Sequence, residues 1–254
     1  MPSPGPRRAV ILRRWDRRPP CGGTAVVIDV LRFSTTVCAL LAAGRRRVLV
    51  APSPEALAGA RDLARSDVFS ELEFESPARR FDNSPALALA AEDARAVTYV
   101  TTTTGSRALS ASRGAGRILV ACFANFHAVL RRLKSARGPV WLLPAASPGI
   151  ALCAKGERLR SEGDSPLLIA PGREEDELCA GAFREALAGD GRAPEIALAA
   201  LRLTPRIGEF LRTRPKTGEE DLALALDLDR FDVVPEADFP KDPQAPFARI
   251  RRAR

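Results

Sequence analysis

The stretch that most constrains how this chain folds is Ala25 to Thr36, AVVIDVLRFSTT. Ala25 to Ile28 is a short apolar, largely β-branched run of the kind that forms a strand buried on both faces. Asp29 follows at once, so a carboxylate stands where the chain leaves the sheet. Ser34, Thr35 and Thr36 offer hydroxyl caps to a helix through about Ala43, with Gly44 as its stop. In open α/β sheets ligands gather at the carboxyl ends of strands, and helix starts there favour anions. Asp29 is therefore read either as a cation-holding carboxylate, with Arg32 facing an anionic substrate, or as a capping residue in a surface ion pair.

The rest of the chain repeats this alternation. Strands are expected at Ala9 to Leu12, Arg47 to Val50, within Val68 to Phe81, and at Thr98 to Val100, Arg117 to Ala121, Val140 to Leu143, Leu167 to Ala170 and Val233 to Val234. Helices are expected from Ser53 to about Arg65, from Pro85 to Glu92, after Gly105, from Asn125 to about Lys134 and from Glu174 to about Ala188. Two more follow, at about Glu195 to Leu211 and Glu219 to Leu228. Ser84 before Pro85 is a cap followed by a proline at the first helical position. A basic linker spans Arg13 to Gly23, and 145–163 reads as a loop. Such spacing implies a three-layer α/β/α architecture with a largely parallel or mixed central sheet. No repeat or interdomain linker interrupts it, so 1–254 is taken as a single domain with a basic N-terminal segment and a tail rich in proline and charge.

The formal net charge of +8 points to anionic partners in general. Only 6% of residues are aromatic, too few to stack bases, so nucleic acid is not the expected partner. No apolar run reaches roughly 18 residues, so no membrane span is expected. Five cysteines without a CxxC pair lie mostly in apolar segments. They read as reduced core thiols and suggest a cytoplasmic protein. The single histidine, His127, excludes a His-rich metal site. Glu174 to Glu177 complement a helix dipole without any metal, and have a second use if that turn faces Asp29. Thr101 to Thr104 with Gly105, Ser106 and Arg107 form a strand-to-helix turn with hydroxyls and close backbone N–H groups for an anion.

Four ordered blocks make the sequence resemble the 2-phosphosulfolactate phosphatase family: Val26 to Thr36, Phe81 to Pro85, TTTTGSRAL from Thr101 to Leu109, and EDELCAG from Glu175 to Gly181. Asn125 and the stretch from Asp221 to Pro235 add support. The resemblance implies Mg²⁺-dependent removal of phosphate from 2-phospho-3-sulfolactate, a small anionic phosphoester. It implies Asp29 and Arg32 as catalytic residues and Asp29, Glu175 and Asp176 around the metal. Asn83, Ser84, Thr104, Gly105, Ser106, Arg107 and Asn125 are then the substrate-binding residues. Metal-activated water is preferred to attack by Asp29, and Cys179 is read as core.

The chain departs from the family pattern in its loops. Thr104 stands where the family has Asn, and Asp82 runs directly into Asn83 without the family's spacer and Gly. The family's Gly-Glu-Arg-Gly-Gly element is not recognisable in SELEFESPARRF, where Glu71 and Glu75 are the two candidates to stand in for its glutamate, with the choice open. A phosphatase of another phosphorylated hydroxy acid, or a non-catalytic anion-binding homologue, are the alternatives. Assembly as a homodimer is left open, since one chain shows no interface.

Overall fold

A computed structural model describes residues 9–13, 15–16, 20–60, 62–92, 95–145, 173–240 and 247–253. The expected strand at Leu167 to Ala170, and the expected loop beyond Ala145, lie outside these residues. The strands are β1 (Ala9–Ile11), β2 (Thr24–Ile28), β3 (Val48–Val50), β4 (Asp67–Phe69), β5 (Arg79–Phe81), β6 (Thr98–Val100), β7 (Arg117–Ala121), β8 (Val140–Pro144), β9 (Pro235–Asp238) and β10 (Ala248–Arg252). The helices are α1 (Phe33–Ala42), α2 (Pro54–Ala58), α3 (Pro85–Ala90), α4 (Gly105–Ala111), α5 (Phe126–Lys134), α6 (Glu174–Ala188), α7 (Ala193–Arg202), α8 (Pro205–Thr213) and α9 (Gly218–Ala225).

The strands form one ten-stranded sheet in the order β1-β8-β2-β7-β9-β10-β3-β6-β4-β5. On one side β1, β8, β2 and β7 run parallel; on the other β3, β6, β4 and β5 run parallel. Between them β9 and β10 pair antiparallel with each other and with both halves. All five residues of β2 are buried, as expected for a strand flanked by parallel neighbours and covered on both faces. Helices flank the sheet in a three-layer α/β/α arrangement. One group packs α6 over β1 and β8 and against α5 and α7; another packs α1 against α3 and α4. The Phe126 and Phe183 rings stack at 4.1 Å where α5 meets α6.

Four sequence expectations are corrected here. Ser34, Thr35 and Thr36 do not cap α1 but lie inside its first turn, with Arg32 at the cap position. The helix after Ser53 ends at Ala58, with Gly59 at its C-cap, and a separate 3₁₀ turn covers Leu63–Arg65. The expected helix from Glu195 to Leu211 is two helices, because Pro205 cannot donate into a continuing helix and instead opens α8. Val233 and Val234 precede rather than form β9, and the charged tail supplies β10, with Ala248 and Ile250 buried and Arg249, Arg251 and Arg252 exposed. Gly44 adopts the left-handed φ of 81° that ends α1 as expected.

The second half is tied at its amino ends by Asp67. Its fully buried carboxylate receives Arg45 and Arg79, with Arg95 close by. Burial works against that charge, but Arg79 and Arg45 outweigh it and hold the carboxyl below its ordinary pKa.

Candidate active site

The carboxyl ends of strands from both halves meet around Asp29. The Phe33 N–H donates to Asp29 Oδ1 at 3.1 Å, the Ser34 N–H to the Asp29 carbonyl at 2.8 Å, and the Asp29 N–H to Ser34 Oγ at 3.0 Å. Asp29 thus does the capping that its neighbouring hydroxyls do not. Its other oxygen, Oδ2, accepts from Thr104 Oγ1 at 3.2 Å, four residues beyond β6. The capping and site readings of this residue therefore share one carboxylate. It is 4% exposed, and burial is the main cause that raises its pKa to about 6, with the Glu71 charge next and Glu175 adding less. The Phe33 and Thr104 donors offset part of this.

Glu71, one of the two glutamates the sequence left open, lies beside the site; Glu75 is exposed. Glu71 Oε1 accepts from the Thr103 N–H at 2.7 Å and from Thr103 Oγ1 at 3.1 Å. Its Oε2 is buried without a hydrogen-bond partner. Asn83 Oδ1 is in the same condition, on a residue that is 3% exposed.

The acidic start of α6 does face this region. The Val30 N–H donates to Asp176 Oδ1 at 2.8 Å, which fixes α6 to the loop after β2. Arg206 on α8 grips Glu175, with Nε 2.9 Å from Oε1 and 3.0 Å from Oε2. Burial still raises the Glu175 pKa, Arg206 opposing it. Glu177 pairs with Arg13. Among the described residues, no three His, Cys, Asp or Glu side chains form a group able to hold a metal ion by themselves.

Arg32 is 4% exposed and enclosed by two carboxylates. Its Nη1 donates to Asp82 Oδ2 at 2.7 Å and to Asp221 Oδ2 at 3.0 Å, and its Nη2 to Asp82 Oδ1 at 2.9 Å. Burial alone would lower the guanidinium pKa, and Asp82 followed by Asp221 raises it instead. Asp221, fully buried on α9, also accepts from Ser84 Oγ at 2.5 Å, the Ala86 N–H at 3.2 Å and Thr217 Oγ1 at 3.0 Å. Ser84 in turn caps α3 by accepting from the Leu87 N–H. The Phe210 ring has Arg32 and Arg206 each 5.9 Å from its centroid.

In the threonine turn, Ser106 Oγ accepts from the Thr102 N–H at 2.9 Å, and Thr102 Oγ1 from the Ser106 N–H at 3.0 Å. Arg107 is exposed on the first turn of α4. Gly105 is needed for packing: a Cβ there would lie 2.4 Å from the Phe33 ring. Gly105→Ala is expected to destabilise by about 1–3 kcal/mol, the usual scale of overpacking. It should also lower activity by displacing Thr104 from Asp29. A urea unfolding curve checks the first and a rate assay the second.

Asn125 gives its amide to the backbone, accepting from the Cys122 N–H at 2.9 Å and donating to the Val120 and Val233 carbonyls. His127 pairs through Nδ1 with Asp229 at the start of α5. Cys179 is fully buried, and burial pushes its thiol well above the ordinary range, as suits a core residue. Asp221, Arg206 and the choice of Glu71 were not reached from the sequence. Asp221 lay only in a weakly matching region, and the pairing of Arg206 with Glu175 spans 31 positions, although Pro205 and Glu209 mark its helix locally.

A family model described as 2-phosphosulpholactate phosphatase matches residues 16–239. A "Probable 2-phosphosulfolactate phosphatase" of Symbiobacterium thermophilum is 36% identical over 178 residues, which is 68% of this chain and 67% of that protein. A protein with the same description from Thermus thermophilus is 36% identical over 110 residues, 42% of this chain and 45% of that protein. The chain thus aligns with about two thirds of the first relative's length and under half of the second's.

Proposed function

Given that the chain belongs to the 2-phosphosulfolactate phosphatase family and so acts as a phosphatase on a small phosphorylated molecule, we propose that it hydrolyses 2-phospho-3-sulfolactate to 3-sulfolactate and inorganic phosphate with Mg²⁺. The observation that carries this reading is Asp29, a buried carboxylate at the carboxyl end of β2, near the charge of Glu71 and Glu175. Buried negative groups that repel one another suit a dication. Mg²⁺ prefers one or two carboxylates with waters and substrate oxygens to an all-protein cage, so the lack of a three-member cluster among the described residues fits it. Asp29 would hold it, with the Glu175 and Asp176 carboxylates close behind. When bound, the ion polarises the phosphoryl group and makes water a better nucleophile.

The chain's own residues do the rest. Phe33 N–H and Thr104 Oγ1 fix the two Asp29 oxygens, which favours a holding role over attack on phosphorus. A water oxygen bonds to phosphorus as the bond from phosphorus to the C2 oxygen breaks, and a proton from that water ends on the departing oxygen. Arg32, enclosed by Asp82 and Asp221, contributes as a fixed buried cation that orders the turn at Asn83 and Ser84. Arg107 meets the sulfonate or carboxylate end of the substrate with its exposed guanidinium. Arg107→Ala is therefore expected to raise KM roughly tenfold while kcat changes much less, as loss of one charge-assisted hydrogen bond does. Steady-state kinetics check it.

One observation favours a second reading, a phosphatase of another phosphorylated hydroxy acid. The Thr104 hydroxyl is directed to Asp29, and the family's Asn amide is absent from that position. Comparing kcat/KM across 2-phospho-3-sulfolactate and non-sulfonated phosphorylated hydroxy acids decides between them. A lead for the sulfonated substrate supports the first reading, and a lead for any other acid replaces it with the second.

A further inference from the structure

We propose that Glu71 and Asn83 complete the cation site of which Asp29 is the inner carboxylate, so that a divalent, oxygen-preferring cation sits between Asp29 and Glu71 with the Asn83 amide oxygen turned to the same space. This rests on the metal-dependent reading above and names residues that it leaves unassigned.

The geometry starts from β4 and β5. They are parallel neighbours with Phe69 opposite Phe81, and the two rings stack at 4.7 Å. The Ser70 N–H continues the ladder to the Phe81 carbonyl at 3.0 Å. Glu71 and Asn83 each lie two residues past that ring pair, on the segments that leave the neighbouring carboxyl ends of β4 and β5. Both end in a buried oxygen with no hydrogen-bond partner, Oε2 of Glu71 and Oδ1 of Asn83. A carboxylate or amide oxygen can only accept, and a buried acceptor without a donor costs about 1–3 kcal/mol. The remaining Glu71 oxygen is pinned by Thr103, and Asp29 Oδ2 by Thr104. Consecutive residues of one turn therefore hold the two carboxylates.

A phosphate oxygen brought directly against these acceptors would add to the repulsion. A cation satisfies them together, and two carboxylates with one amide oxygen leave room for the waters and substrate oxygens that Mg²⁺ keeps. Glu175 and Asp176 differ, since Arg206 and the Val30 N–H already occupy their oxygens.

The test is Mn²⁺ binding to the metal-free full chain, followed by the paramagnetic resonance of free Mn²⁺ and competed with Mg²⁺. Glu71→Gln keeps the oxygen that Thr103 needs but replaces a ligand oxygen with an N–H donor. It should weaken binding at least roughly tenfold, the scale on which even outer partners of metal ligands act. Asn83→Ala should weaken it by a smaller factor, and Glu75→Gln, at an exposed carboxylate in the same loop, should leave it unchanged. Circular dichroism melts establish that each variant is folded. If wild type binds Mn²⁺ and both Glu71→Gln and Asn83→Ala bind it equally well, the assignment is overturned while the metal-dependent reading stands. Equal weakening by Glu71→Gln and Glu75→Gln would reduce it to loop charge and also overturn it. If wild type binds no divalent cation, the metal-dependent reading fails first and takes this one with it.

Discussion

Asp29→Asn is expected to lower kcat by roughly a thousandfold, about 4 kcal/mol of transition-state stabilisation, while leaving the fold intact. The same substitution should make the metal-free protein more stable at neutral pH. The Asp29 carboxyl titrates at about 6 in the fold against an ordinary 3.8, chiefly because it is buried and secondly because Glu71 is near. A carboxyl with a raised folded pKa contributes its full stability below the ordinary value, and that contribution is lost as pH rises through about 6. Ionised Asp29 then costs the metal-free wild type up to about 3 kcal/mol, at 1.36 kcal/mol per pKa unit. Asparagine stays neutral at every pH and keeps an oxygen for the Phe33 N–H. Melts in chelator should therefore place the variant several degrees above wild type near about pH 7.5 and close to it only near about pH 3.5, below the ordinary carboxyl value. No gain at neutral pH would mean that burial and the nearby Glu71 charge do not strain the ionised Asp29. A variant of unaltered turnover would remove Asp29 from the site.

Asp221→Ala should be the most damaging substitution outside the carboxylates around Asp29. It leaves Arg32 with Asp82 alone, and strips the acceptor from Ser84 Oγ, the Ala86 N–H and Thr217 Oγ1. Asp82 is a weaker partner because its side chain is 37% exposed, whereas that of Asp221 is fully buried. Breaking a buried pair by removing one member costs about 3–5 kcal/mol, since the other charge stays buried without compensation. Expected in urea is a loss of unfolding free energy of that size, seen as a lower midpoint and followed through the fluorescence of Trp15 and Trp141. Turnover should fall as well, because Arg32 and the Ser84 turn move together. Asp221→Asn keeps the Oδ1 acceptor for Ser84 and Ala86 but loses the oxygen that accepts from Arg32 and Thr217, so its loss should be smaller than that of Asp221→Ala but not negligible. If Asp221→Ala stays within about 1 kcal/mol of wild type, the Arg32 network is not what fixes this corner.

The sequence was most informative where one short segment decided its own structure. The apolar run before Asp29 could only be a buried strand, and Ser84-Pro85 announced both the cap and the first residue of α3. Arg117 to Ala121 and Glu174 to Ala188 came out with the boundaries expected of them. Local sequence is less decisive where a segment's state depends on distant partners or where one residue breaks a long pattern. β10 lay hidden in a charged tail, although Ala248 and Ile250 alternate with arginines in the period of a strand. Pro205 breaks the helical pattern from Glu195 to Leu211 and opens α8, which puts Arg206 in its first turn.

The site shows the same division. Asp29 was recognisable because strand, carboxylate and hydroxyls follow one another directly. Whether Glu71 or Glu75 belonged beside it depended on how the segment between β4 and β5 returns, and only the contact with Thr103 separates the two. Arg32 was expected to face the substrate, yet the structure surrounds it with Asp82 from the end of β5 and Asp221 from α9, partners 50 and 189 positions away. No local pattern carries information about contacts of that range.

The most direct measurement is phosphate release from 2-phospho-3-sulfolactate by the full-length protein, first with Mg²⁺, then after chelation, then with Mg²⁺ restored. Turnover that disappears with the chelator and returns with the ion is the expected result. Turnover that survives chelation would contradict the metal-dependent chemistry assigned to Asp29, and no phosphate release from folded protein, on this or any related phosphorylated acid, would contradict the phosphatase reading itself.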